Sequence, residues 1–123
     1  MKRIAPLFAS LGLLAACGSG ATGPTTTFAP GTLVVKAVPS LRLDASTYGP
    51  VKAGEVTIGY TNEDSVRHTL ILAKNNEKVA NFKLVAAEKG SSDSAVVKLE
   101  KGTYTMLCDV PGHSNMKATL TVE

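Results

Sequence analysis

The sequence predicts an all-β domain, a Greek-key β-sandwich or barrel of about seven to eight strands. Short runs in which apolar and polar residues alternate recur from Leu33 to the end of the chain. Turn residues such as Pro39, Gly49 and Pro50 separate these runs at short intervals. Alternation with a period of two places the apolar side chains on one face of a strand, so each run can bury that face against a second sheet.

The expected strands follow one another along the chain. They are residues 33–37, 41–43, 56–60, 68–73, 95–99, 104–108 and 118–122. The segments Pro39-Ser40 and Tyr48-Gly49-Pro50 are expected to break the chain between strands. The run that follows His68 is continuously apolar, which is typical of a strand buried on both faces. Alanine and glutamate weaken a strand prediction in residues 76–88, where a short helix or an irregular loop competes with it.

The first residues have the pattern of an export signal. Lys2 and Arg3 precede a short apolar run that ends in small residues and is too short to span a bilayer as a permanent helix. The order Leu14-Ala15-Ala16-Cys17 resembles the bacterial lipobox, in which the cysteine becomes the lipid-modified first residue. We therefore expect a lipoprotein signal peptide in residues 1–16. An ordinary signal peptide followed by a stray cysteine is the alternative.

Residues 17–32 are expected to be a lipid anchor on Cys17 and a flexible linker. After the cysteine they are rich in Gly, Thr, Pro and Ala and show almost no hydrophobic periodicity. Such a composition does not bury enough apolar surface to fold. Residues 33–123 then form the single folded domain.

The charge of the chain argues against a nucleic-acid partner. The sequence has 13 Lys and Arg against 10 Asp and Glu, but Lys2 and Arg3 belong to the signal segment and all the acids lie after it. The mature chain therefore carries a net charge of only +1. No clustered basic face remains, so we expect no nucleic-acid binding.

The cysteine content singles out one thiol. Cys17 and Cys108 are the only cysteines. If Cys17 carries a lipid, Cys108 is a lone thiol in an oxidising compartment, which asks for an explanation as a metal ligand, a reactive thiol or half of an intermolecular bridge. Taken alone, a cysteine is most often an inert buried thiol. A Cys17–Cys108 disulfide is the alternative if Cys17 is not acylated.

The C-terminal segment YTMLCDVPGHSNMKATLTV, residues 104–122, carries the chemistry. Cys108, His113 and Met116 lie on a loop between two expected strands, and His68 begins the buried strand. A thiolate, two imidazoles and a thioether form a soft, mixed donor set that suits copper cycling between Cu(I) and Cu(II). Zinc would not explain the methionine, and a Cys–His nucleophilic pair would need an orienting third group to which nothing in the sequence points.

This segment resembles the C-terminal ligand loop of the cupredoxin family of small type 1 blue copper proteins. The Pro-Gly-His turn, Tyr104 four residues before the cysteine and the closing TLTV strand carry the resemblance, which is strongest in residues 56–72 and 102–122. It implies one copper ion, equatorial ligands His68, Cys108 and His113, and an axial ligand Met116. The two-residue gap between His113 and Met116 is shorter than in many relatives with the same four-residue Cys–His gap.

The resemblance also implies roles around the site. Thr69 follows the first histidine, where family members often use a small polar side chain that bonds across to the ligand loop. Val110 and Pro111 would edge a more exposed His113, where a redox partner docks. Met106 is an unsuitable substitute for Met116, since it lies two residues before Cys108 on the same strand face and should sit deeper in the core.

The function expected from these observations is a one-electron carrier between extracytoplasmic redox partner proteins. Copper storage, sensing or delivery is the alternative, and a metal-free β-sandwich lipoprotein is a third hypothesis. We expect no enzyme activity, since copper enzymes need further histidines and His68 and His113 are the only two. The protein is expected to be a monomer, held on a bacterial membrane, at its periplasmic or cell-surface face, by the lipid on Cys17.

Overall fold

The structure, a computed structural model, describes residues 27–123, and these form two packed β-sheets. The predicted signal peptide, residues 1–16, and the lipid site at Cys17 lie outside the described residues. The strands are β1 (Leu33–Val38), β2 (Arg42–Leu43), β3 (Thr47–Val51), β4 (Gly54–Asn62), β5 (His68–Lys74), β6 (Glu77–Lys78), β7 (Leu84–Ala86), β8 (Ser92–Leu99), β9 (Gly102–Leu107) and β10 (Lys117–Val122). No helix occurs in this part of the chain, so none there is long and apolar enough to cross a membrane.

One sheet has the strand order β2-β1-β4-β8, and the other has the order β3-β10-β9-β5-β6, with β7 also paired to β5. The pairs β1–β4 and β3–β10 are parallel, and the other pairs are antiparallel. This arrangement confirms the all-β sandwich that the sequence predicts.

The period-two pattern in the sequence is the pattern of burial in the structure. Along β10, Ala118, Leu120 and Val122 are buried, and the residues between them are exposed. In β5 the first five residues are all buried, as expected for a continuously apolar strand. The core between the sheets is built from fully buried side chains, including Val35, Ile58, Tyr60, Leu70, Leu72, Met106 and Leu120.

One strand forms where a break was predicted. Residues Thr47–Val51, which include Gly49 and Pro50, are β3 and pair in parallel with β10. The strand lies at the edge of its sheet, where a proline without an N–H does not remove a ladder hydrogen bond. The expectation of a break at Tyr48-Gly49-Pro50 is therefore wrong. In residues 76–88, where a short helix or an irregular loop competed with a strand, the structure has the short strands β6 and β7, joined by a segment with a turn at residues 80–81.

Contact between the N-terminal segment and the domain begins before Leu33. The ring of Phe28 covers the outer face of Gly59 in β4, and a Cβ atom at Gly59 would lie 2.7 Å from that ring. Thr32 N donates a hydrogen bond to Ala29 O at 3.2 Å. The last residues of the segment expected to be a linker thus lie against the sheet.

Candidate metal centre

The topology brings the expected ligands to one end of the sandwich. His68 is the first residue of β5, and Cys108 follows directly on Leu107, the last residue of β9. The two strands are antiparallel neighbours, with Ile71 opposite Leu107. The start of β5 therefore lies beside the end of β9, and residues 40 positions apart along the chain meet there.

The loop between β9 and β10 returns His113 and Met116 to the same end. His113 N donates to Val110 O at 3.0 Å, and Met116 N donates to His113 O at 2.9 Å. The φ angle of Gly112 is +89°, a conformation that glycine adopts without steric strain. Cys108 N donates to Met116 O at 3.2 Å, so the two ends of the loop are held together.

Three donor atoms face one another across this end. One ligand atom each from His68, Cys108 and His113 lies within 4.8 Å of the other two. Cys108 Sγ is 3.5 Å from His113 Nδ1, and the centroids of the two imidazole rings are 4.9 Å apart. A single transition-metal ion can bridge such separations with bonds of about 2.0–2.3 Å. Two imidazoles and a thiolate suit a soft or borderline metal.

His68 has one ring nitrogen bonded and the other free for a metal. The residue is fully buried, and its Nε2 lies 2.9 Å from Asp64 Oδ2. Its Nδ1 is buried without a hydrogen-bond partner in the described part of the chain. Leaving a buried polar atom unpaired is costly, and a metal ion bound at Nδ1 would satisfy it. The hydrogen bond from His68 also lowers the pKa of Asp64, and a backbone N–H from Ser65 acts in the same direction.

Cys108 is a buried free thiol whose sulfur accepts a backbone hydrogen bond. Cys108 is 4% exposed, and Thr69 N donates a hydrogen bond to Cys108 Sγ at 3.3 Å. The hydroxyl of Thr69 lies 3.5 Å from the same sulfur. A backbone donor aimed at the sulfur favours its thiolate form, which is the form that binds metals.

Thr69 also joins β5 to the ligand loop through Asp109. Its hydroxyl donates to Asp109 Oδ1 and accepts from Asp109 N at 3.0 Å. Asp109 Oδ2 is 2.9 Å from Lys83 Nζ. The hydrogen bond from Thr69, followed by that from Lys83, lowers the pKa of Asp109. The residue after Cys108 is therefore held by Thr69 of β5 and by Lys83, which directly precedes β7.

Met116 and Met106 are both fully buried members of the core. Met116 ends the ligand loop directly before β10, whereas Met106 lies within β9 and opposite Leu72 of β5. The loop surface beside them contains Val110, which is partly buried, and Pro111, which is exposed. Both line a shallow groove of about 560 Å³ that also reaches Cys108.

Asp64 and Asn62 are site residues that the sequence analysis did not single out. Asn62 is buried, donates to Val66 O at 2.7 Å and to Ala86 O at 3.0 Å, and accepts from Asp64 N at 2.7 Å. It thereby shapes the turn that carries Asp64 to His68. The sequence feature that could have indicated this contact is Asp64 itself, an acidic residue four positions before His68 in a turn rich in polar residues.

Neither a protein-family model nor a curated protein sequence matches the chain significantly. Solved structures do match it. A dithionite-reduced auracyanin from the photosynthetic bacterium Roseiflexus castenholzii superposes with a TM-score of 0.64 at 19% identity, covering 78% of this chain and 99% of its own. Auracyanin A, a "blue" copper protein from Chloroflexus aurantiacus, gives a TM-score of 0.62 at 23% identity, covering 75% of this chain and 98% of its own.

A purple cupredoxin from Nitrosopumilus maritimus is also similar to the chain. It gives a TM-score of 0.57 at 19% identity and covers 74% of this chain and 99% of its own. The chain therefore has the cupredoxin fold. The described domain spans nearly the whole length of each of these structures.

Proposed function

We propose that the chain is a type 1 copper protein that carries one electron at a time. His68, Cys108 and His113 would bind the ion, and Met116 would be its axial ligand. The observation that carries this proposal is the cluster of two imidazole nitrogens and a buried thiol within 4.8 Å of one another. It lies on a fold shared with proteins described as a blue copper protein and a purple cupredoxin.

Bound copper would supply a one-electron couple between Cu(II) and Cu(I). The residues of the chain hold the donor atoms in place while the charge changes. Cys108 and His68 extend from neighbouring strands, and the loop that carries His113 is tied at both ends by the Cys108–Met116 backbone hydrogen bond. Ligands fixed in this way rearrange little between two oxidation states. His113, which is partly exposed, would be the route by which electrons enter and leave.

Addition of Cu(II) to the purified protein tests the proposal. We expect one copper per chain and a strong visible absorption from a Cu–thiolate bond. Cys108→Ala should abolish that absorption, and Ser114→Ala, at an exposed position of the same loop, should retain it. A wild-type protein without colour, or colour that persists in Cys108→Ala, would refute the proposal. Loss of copper on each redox cycle would favour storage or delivery over electron transfer.

We further propose that the protein is extracytoplasmic and held on a membrane by a lipid on Cys17. Support comes from the lipobox-like order Leu14-Ala15-Ala16-Cys17 after a charged start and an apolar run. Labelled fatty acid fed to expressing bacteria should appear in the wild type and be absent from Cys17→Ser. Ser19→Ala should label like the wild type, and an unlabelled wild type would exclude the anchor.

Redox proteins are the partners we propose, docking on the apolar surface formed by Val110 and Pro111 beside His113. The near-neutral mature charge disfavours strong electrostatic steering, so electron exchange should depend weakly on salt. Val110→Asp should slow electron self-exchange between reduced and oxidised protein. Val96→Asp is the matched control, since Val96 is 60% exposed on β8, away from the loop. Equal rates in the two variants would place the docking surface elsewhere. Sedimentation should find a monomer.

A further inference from the structure

A carboxylate is hydrogen-bonded to the ring of His68, one of the three residues of the candidate metal centre. Asp64 Oδ2 is 2.9 Å from Nε2 of His68, and the His68 ring is fully buried. Asp64 itself is 9% exposed. In the described part of the chain, Asp64 forms no ion pair with a lysine or an arginine. Its charge therefore acts mainly on the imidazole.

The carboxylate is held in place by the turn before β5. Asp64 Oδ1 accepts a hydrogen bond from Ser65 N at 2.7 Å, and Asp64 N donates to Asn62 Oδ1 at 2.7 Å. Asn62 is tied in turn to the backbone oxygens of Val66 and Ala86. Ala86 of β7 is also the strand partner of His68 in β5. The turn, through Asn62, and the histidine are therefore both attached to β7.

This geometry determines which ring nitrogen carries the proton. An ionised carboxylate can only accept hydrogen bonds, so Nε2 must be the donor. The lone pair of the neutral ring is then on Nδ1, the atom that has no hydrogen-bond partner among residues 27–123. Because Nε2 is taken by the carboxylate, Nδ1 is the nitrogen that His68 can offer to the donor cluster. A hydrogen-bonded carboxylate also raises the basicity of a ligating imidazole and stabilises the more highly charged metal ion.

We propose that Asp64 is a positioning residue that locks His68 in the Nε2–H tautomer and lowers the reduction potential of the bound metal. The inference rests on the copper site proposed above. The charge and the hydrogen bond are separable, because asparagine keeps an acceptor oxygen at this position without the negative charge. Alanine removes both.

The experiment compares Asp64→Asn, Asp64→Ala and Glu63→Gln in the full-length protein. Glu63→Gln is the matched control, since it removes one negative charge from the neighbouring residue, whose partner is Lys36 and not the histidine. Nitrogen-15 NMR of the metal-free proteins reports the tautomer of His68. Voltammetry and a Cu(II) titration of the same proteins report the potential and the affinity.

Asp64→Asn should keep the tautomer and shift the Cu(II)/Cu(I) equilibrium toward Cu(I) by about tenfold or more, which is about 59 mV for a one-electron couple. In Asp64→Ala, His68 should no longer be held in a single tautomer. The same variant should bind Cu(II) about 10- to 100-fold more weakly. Glu63→Gln should change neither property. A potential shift in Asp64→Asn no larger than that in Glu63→Gln would overturn the claim about the charge.

The tautomer measurement separates this inference from the proposed function. If the wild type binds no copper, the proposed function fails, and the claim about the potential fails with it. The claim that Asp64 sets the tautomer is still decided by the metal-free spectra. An Nδ1–H tautomer in the wild type, or an unchanged Nε2–H tautomer in Asp64→Ala, would refute it.

Discussion

The backbone N–H of Thr69 donates a hydrogen bond to Cys108 Sγ across 3.3 Å, which ties the start of β5 to the end of β9. The hydroxyl of the same residue donates to the Asp109 carboxylate and accepts from the Asp109 backbone N–H. One threonine thus contacts the sulfur with its backbone and the ligand loop with its side chain. The two contacts can be separated by mutation.

Thr69→Val should lower the free energy of unfolding by about 1–3 kcal/mol while the backbone hydrogen bond to the sulfur remains. The cause is loss of the acceptor for Asp109 N and of the donor to its carboxylate, in a residue that is 2% exposed. Urea unfolding of the metal-free protein measures the change. Thr121→Val, at an exposed position of β10, should stay within about 0.5 kcal/mol of wild type. Equal stabilities of the two variants would contradict this account.

Met116→Leu should leave copper bound and change its potential and spectrum. An axial thioether tunes the metal more than it holds it, and leucine is close to methionine in volume, so the loss of stability should be below about 1.5 kcal/mol. Met106→Leu is a close control, because Met106 is also fully buried. Voltammetry distinguishes the two variants. Identical potentials in Met116→Leu and wild type would remove Met116 from the site.

Much of the fold was predictable because burial on a strand repeats every second residue. β10 shows this directly, since each predicted inward residue is buried and each intervening residue is exposed. β3 escaped prediction because Gly49 and Pro50 are read locally as a break. The partner that makes them a strand, β10, lies about 70 residues further on and is not visible in a local pattern.

The residues of the donor cluster could be predicted from the sequence, but the hydrogen bonds around them could not. A chain with two histidines and one cysteine in its domain offers few ways to build a donor cluster, so residue type alone limited the choice. The hydrogen bond between Asp64 and His68 could not be predicted in the same way. It depends on the turn shaped by Asn62, and a polar turn before a strand has many possible conformations.

Tyr60→Phe should stabilise the protein, raising the free energy of unfolding by about 1 kcal/mol. The Tyr60 hydroxyl is buried and has no hydrogen-bond partner among the described residues. Its removal therefore eliminates the free-energy cost of burying an unpaired polar group. Tyr104→Phe is the matched comparison, because the hydroxyl of Tyr104 accepts a hydrogen bond from Glu100 N at 3.0 Å. That variant should lose about 1 kcal/mol. Urea unfolding decides, and equal effects would show that Tyr60 has a partner.

The same tyrosine makes the stability depend on pH in alkaline solution. Burial, followed by the influence of Cys108, raises the pKa of Tyr60 above its ordinary value. Above about pH 10 the unfolded chain therefore loses this proton while the folded chain keeps it, and the free energy of unfolding falls by about 1.4 kcal/mol per pH unit. Tyr60→Phe should reduce that slope. It should not abolish it, since burial also raises the pKa of Tyr48. Parallel slopes in wild type and variant between pH 10 and 11 would contradict the assignment.

Gly59→Ala should have opposite effects in the presence and absence of the Phe28 ring. The new Cβ atom would lie 2.7 Å from that ring, so the ring has to leave the sheet and the variant should be less stable. In a Phe28→Ala background the clash is gone, and the lower entropy of the unfolded chain should make Gly59→Ala stabilising by about 0.4–1 kcal/mol. A double-mutant cycle measured by urea unfolding gives the coupling between the two positions. Additive effects would mean that residues 27–32 do not pack on β4 in solution, whereas a change of sign would make Phe28 part of the folded domain.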